Sequence, residues 1–171
     1  SLLLYETWSR PYIFEDFTLF KERPYRGRYV NVDENGFRIS KNQGIWPPDK
    51  EKDFSIFVFG GSSAFGYGVS DSETVASLLQ EGLSKAGLKR NPFVYNFGRG
   101  HYYSTQEKIL FEKLLAEGYV PDMALFLDGL NEFFYYSDNG TALSSSFEKL
   151  LRGDLRELFL KELRKRFSVL R

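Results

Sequence analysis

The chain has 171 residues, with 23 Lys plus Arg balanced by 23 Asp plus Glu, one His and no Cys. Such a length suits one domain, or one domain with an arm, and buries roughly two-thirds of the unfolded surface. Balanced charge supplies no global field for nucleic acid or an anionic membrane, the absence of Cys excludes disulfides and thiolate chemistry, and a lone imidazole excludes a multi-histidine metal site.

Residues 1–52 read as an irregular N-terminal arm, rich in Tyr, Phe, Trp, Arg and Pro. The opening SLLLY fits either a helix start or the remnant of a removed anchor, which would imply the cell envelope or secretion. No apolar run approaches membrane-spanning length. In Arg28 to Ile39, Tyr29, Val30 and Val32 precede Asn35-Gly36 and Phe37 follows it, the pattern of a turn between short extended pieces. Trp46-Pro47-Pro48 and the polar run after it mark a boundary. An aromatic-rich extension of this kind is expected to pack on apolar surface, with a substrate-binding cover as the alternative.

From residue 53 the punctuation becomes βαβαβ. Ser55 to Phe59 is a nearly uninterrupted β-favouring run, as in a parallel strand buried on both faces. Gly60 and Gly61 break it and allow a sharp turn, and Ser62 follows at the strand's carboxyl end, where open α/β sheets place their ligands. Ser70 to Glu73 has capping-box spacing ahead of a helix with Val75, Leu78, Leu79 and Leu83 on one face and Gly87 at its end. Phe93 to Tyr95 is a second strand, leading into the glycine loop Asn96 to His101. Ser104 to Glu107 repeats the capping pattern before a helix with Ile109, Leu110, Leu114 and Leu115 as its buried stripe. Met123 to Leu127 is a third buried strand, followed by Asp128 to Glu132. Right-handed crossovers make the three strands parallel and bring the loops at Ser62, Gly98 to His101 and Asn131 to one sheet edge. Phe147 to Leu170 has helical spacing with basic flanks. It reads as a crossover helix leading to strands beyond the chain, or as a basic amphipathic helix for a membrane or partner.

Each loop also has a bland reading: Ser62 as a cap, Gly98 and Gly100 as turn residues, Asn131 as a helix cap. The glycine turn carries neither phosphate-binding signature. Taken together, however, Gly60-Gly61-Ser62, Asn96-x-Gly98-x-Gly100 and Gly129-x-Asn131-Glu132 resemble the first three sequence blocks of the SGNH/GDSL hydrolases. The likeness is to the bacterial branch in which Gly-Gly-Ser replaces Gly-Asp-Ser, and it covers about Phe54 to Phe134. It implies an α/β fold with a three-layer, flavodoxin-like parallel sheet and helices on both faces, here incomplete. It also implies an esterase with Ser62 as nucleophile and Gly100 and Asn131 as oxyanion donors, with Gly61, Ser63, Arg99 and His101 lining the substrate site and no cofactor or metal.

Three departures qualify the likeness. Direct alignment of the second block places His101, not Gly100, at its last glycine; Glu132 replaces an Asp; and no Asp-x-x-His occurs, so the base is expected beyond residue 171. His101 itself reads as lining the site rather than as the base. The expected ligand is a small-molecule or carbohydrate ester, with no nucleic-acid partner. Self-association, or pairing with a C-terminal fragment through an exposed sheet edge, is the expected assembly. The alternatives are a non-catalytic ester- or carbohydrate-binding module and an O-acyltransferase. An aromatic rim of Phe65, Tyr67, Tyr102, Tyr103 and Phe133 to Tyr136 is expected around the loops.

Overall fold

A computed structural model describes residues 2–129 and 131–132. The chain divides into two compact units, Ser1–Gly129 and Leu130–Arg171; the account below is of the first. The expected basic helix at Phe147 to Leu170 and the aromatic run Phe133 to Tyr136 lie outside the described residues.

The unit is built on a three-stranded parallel sheet in which β5 (Asp53–Gly60) is central, between β6 (Asn91–Asn96) and β7 (Met123–Leu127). The register pairs Ile56 with Val94 and with Met123, and Gly60 with Leu127. Ser55 to Gly60 are buried throughout, as the apolar run requires. Alternation along β5 separates two faces. Ile56 and Val58 join Val94 under Ala76, Leu79 and Leu83 of α3 (Val75–Ser84). Phe57 and Phe59 point the other way, into a ring cluster with Tyr95 and Phe97, Trp46 of the arm, and Phe111 of α4 (Ser104–Ala116).

Helix α3 turns differently from its apolar pattern. Val75 and Leu78 are exposed, and the buried face carries Ala76, Ser77 and Gln80 instead. Gln80 explains the rotation: its amide donates to the Pro92 carbonyl at 2.6 Å and accepts from the Val94 N–H at 2.8 Å, so it binds backbone groups of β6. The capping box Ser70–Glu73 forms, but it opens a single 3-10 turn (Asp71–Glu73), and Thr74 caps α3. In α4, Leu110 and Leu114 are buried as expected, whereas Leu115 is exposed, and its N-cap is Tyr103 with no side-chain cap bond. Strand β7 is less buried than its sequence suggests: Met123, Phe126 and Leu127 are exposed, and no strand among the described residues pairs with its outer edge.

Residues 2–52 are more regular than an irregular arm. They form α1 (Leu2–Trp8), the antiparallel pair β1 (Tyr12–Glu15) and β2 (Leu19–Glu22), and the short pair β3 (Tyr25–Arg26) and β4 (Asn31–Val32). The Asn35-Gly36 turn forms with Gly36 at φ 87°, and the returning chain carries Arg38 into bridges with Val32 on one side and Asn96 on the other. The arm therefore continues the sheet past β6 and blunts that edge.

Candidate functional site

The site begins where β5 ends. Gly60 has φ 151°, a conformation that favours glycine, and a Cβ there would lie 2.5 Å from Ala64 Cβ and 2.9 Å from the Leu127 carbonyl oxygen. The two glycines thus let the chain reverse against β7 and start the one-turn helix α2 (Ser62–Phe65), which Gly66 ends in a left-handed conformation. Ser62 is its first residue, half-buried; Gly61 is half-buried beside it and Ser63 is exposed. The Ser62 carbonyl accepts from the N–H groups of Gly66 and Tyr67 at 2.9 and 3.0 Å, while its hydroxyl makes no hydrogen bond among the described residues. The chain leaves β5 for β6 through α3 on one face and later returns to β7, on the opposite side of β5, through α4 on the other. Ser62 consequently follows the strand at the topological switch point, where open parallel sheets leave a crevice.

The second loop is attached directly to this turn. The Asn96 amide donates to the Ala64 carbonyl at 2.9 Å and accepts from the Gly98 N–H at 3.0 Å, and the Arg99 N–H donates to the Gly60 carbonyl at 2.9 Å. A Cβ on Gly98 would meet the Phe65 nitrogen at 2.5 Å. The Asn-x-Gly spacing thus has a local physical cause: Asn96 bridges the two loops, and only glycine at 98 lets the backbones approach so closely.

Gly100 and Arg99 are placed differently from what a substrate-facing role requires. The Gly100 N–H is buried and donates to Glu22 Oε1 at 3.3 Å, and Glu22, 1% exposed, is also paired with Arg10 at 3.2 Å. The hydroxyls of Tyr12 and Tyr67, 2.8 Å apart, stand where a Gly100 side chain would be. Burial, reinforced by Glu22, pushes the Tyr12 hydroxyl far above its ordinary range. Arg99, also 1% exposed, donates to Glu15 Oε2 at 2.5 Å, to the Tyr102 hydroxyl at 2.7 Å and to the Phe20 carbonyl at 3.2 Å. In this conformation it is an internal tie between loop and arm. His101 is exposed at φ 66°, so the position that direct alignment gives to a glycine has a glycine-like backbone; its ring meets Tyr12 edge-on at 6.1 Å. Asn131 is half-buried and belongs to the second unit.

The aromatic rim is only partly a rim. Phe65 and Tyr102 are core residues, 0% and 1% exposed, whereas Tyr67 and Tyr103 are half-buried. Sequence reasoning missed that the arm supplies neighbours of the loop: Glu22, Tyr12, and Trp8, whose ring lies edge-on to Tyr67 at 4.9 Å. Their only signal was the unusual aromatic density, which does not say where the rings go. No protein-family model matches the chain, and no curated protein is significantly similar to it.

Proposed function

We propose that this chain carries the nucleophile-bearing part of a serine ester hydrolase of SGNH type, on a three-layer, flavodoxin-like sheet, with Ser62 as the attacking group. The observation that supports it most is the position of Ser62: a half-buried hydroxyl free of hydrogen bonds among the described residues, on a glycine turn at the switch point of a parallel sheet. In this reading Ser62 Oγ adds to the ester carbonyl carbon, a base takes its proton, and the proton passes to the departing alcohol as the C–O bond breaks. Water then releases the acid from the acyl-serine. The oxyanion is held by the Ser62 N–H, the Asn131 amide and the backbone N–H of His101, since the Gly100 N–H is committed to Glu22. The base comes from outside the surroundings of Ser62 described above. A small or carbohydrate ester is the proposed substrate.

The test is labelling of the natively expressed protein by a fluorophosphonate, read as intact mass, with p-nitrophenyl acetate turnover in parallel. A single adduct that maps to Ser62, and turnover abolished in a folded Ser62→Ala variant, are the expected results. No adduct together with saturable ester binding would replace catalysis by a binding role, and equal turnover in the variant would remove Ser62 from the mechanism.

A further inference from the structure

Helix α1 has an inner and an outer face for identifiable reasons. Glu6 and Thr7 are turned inward and buried. The Glu6 carboxylate accepts backbone N–H groups from Arg28 to Val30, and the Glu6 carbonyl accepts from the Arg10 guanidinium. These bonds fix which way the helix faces. The outer side is apolar and open: Leu2, Leu4, Tyr5 and Trp8 are between 50% and 63% exposed. Single exposed apolar side chains are ordinary, but four on one seven-residue helix form a patch that marks an interaction surface.

The charges around the patch are sorted by sign. The chain is neutral overall, yet its arm is not neutral on the outside. Among residues 2–30 the carboxylates of Glu6, Glu15 and Glu22 are buried, and only Asp16 is exposed; Arg23, Arg26 and Arg28 are all exposed. None of these three arginines forms an ion pair among the described residues. Two of them are tied beside α1 through their backbones, Arg28 by its N–H to Glu6 at 3.0 Å and Arg23 by its N–H to the Pro11 carbonyl at 3.1 Å. The acids that hold the arm together thus leave a field of one sign outside.

An apolar helix face bordered by arginines matches the layered chemistry of a lipid surface. Leucine side chains enter the acyl boundary, Trp and Tyr rings sit at the headgroup level, and guanidinium groups meet phosphates. A nucleic acid would engage the arginines and leave the leucines in water. An uncharged apolar partner would do the reverse. We infer that the outer face of α1, with Arg23 and Arg28 beside it, is a docking surface for an anionic lipid bilayer, on which the arm lies in the headgroup layer. The inference is independent of any role for Ser62.

The test is flotation of the 171-residue chain with vesicles of phosphatidylcholine alone and of phosphatidylcholine with phosphatidylglycerol, mixed about two to one. Binding to the mixed vesicles is expected to be at least about tenfold tighter than to the neutral ones, and to be largely lost in about 0.5 M NaCl. Arg23→Gln and Arg28→Gln each weaken it about fivefold. The double variant Leu4→Ser, Tyr5→Ser weakens it more than about tenfold, and all of these variants keep the wild-type thermal melting. Indole emission shifts to the blue on binding, and Trp8→Phe removes that shift. Ile45→Ser, at a residue 86% exposed outside the patch, and Ser62→Ala leave binding unmoved. Absence of vesicle binding, equal binding to neutral and anionic vesicles, or folded patch variants that bind as the wild type does would overturn the inference. So would saturable binding to polyglutamate without vesicle binding, which would assign the patch to an acidic protein, or a dimer without vesicle binding that Leu4→Ser, Tyr5→Ser dissociates in sedimentation, which would assign it to a second copy of the chain.

Discussion

The sheet and the arm are held by different forces. Between β5, β6 and α3 the side chains that pack are mainly apolar, with Gln80 bonding the β6 backbone: Ile56, Val58, Val94 and Ala76 form a cluster with almost no exposed surface. The arm packs Phe37 and Trp46 on Tyr95 and Phe97, but it is also tied to the rest by buried charges. Arg38, 0% exposed, donates to the Asp71 carboxylate at 2.9 Å and to the carbonyls of Phe65, Gly66 and Val69 at 2.9, 2.6 and 2.7 Å. Within the arm, Glu6 accepts the N–H groups of Arg28, Tyr29 and Val30 at 3.0, 2.8 and 3.0 Å. Glu15 and Glu22 reach the second loop through Arg99 and Gly100. Apolar burial is non-directional and tolerates substitution of similar shape. A buried charge requires particular partners, so these links fix where the arm lies and keep β2 beside the candidate site.

The difference should be largest at Arg38. Truncation by Arg38→Ala leaves Asp71 without its guanidinium and several carbonyls without a donor, and is expected to cost about 3–5 kcal/mol in urea denaturation. A loss below about 1 kcal/mol would show that the arm is held by its rings after all.

Next comes Glu15. Burial alone would raise its carboxyl, but Arg99 beside it, with Thr18 and Lys113, holds it down at about 2, against 4.5 for an ordinary glutamate. A depressed carboxyl stabilises the fold fully above its unfolded value and loses that contribution as the pH falls through the folded one. Stability is therefore expected to decline from about pH 4.5 towards pH 2, by about 3 kcal/mol for this group. Glu15→Gln should flatten that part of the profile, as read by denaturation across the acid range. An unchanged acid slope would mean that Glu15 is not what ties the loop to the arm.

The smallest effect belongs to the apolar side. Ile56→Val removes one buried methylene from the α3 face and is expected to cost about 0.5–1.5 kcal/mol, with the same value at pH 3 and pH 7. A marked pH dependence there would erase the contrast between the two regions.

Much of the candidate site was legible because its determinants are local. The apolar run ending at Gly60-Gly61 places a strand, a turn and Ser62 in succession, and the turn needs nothing remote to form. The Asn96-x-Gly98 spacing was also visible, although its cause was not: Asn96 bonds to Ala64, 32 residues earlier. The rotation of α3 was hidden because apolar periodicity cannot see Gln80 taking two backbone groups of β6. The commitments of Gly100 and Arg99 were hidden for the same kind of reason, since their partners Glu22 and Glu15 lie 78 and 84 residues away.

The sequence by itself determined the parallel βαβαβ order, the glycine turn before Ser62 and the end of α4 beside Gly118, because hydrophobic period and backbone permissiveness act over a few residues, whereas α3 stops at Ser84, short of Gly87. Only the tertiary structure decided which acidic group meets which basic one among the described residues, and so which side chains near Ser62 face outward and which are spent holding the arm. Charges find partners through space under the requirement that a buried ion be paired, and that choice is made once the strands have set the distances.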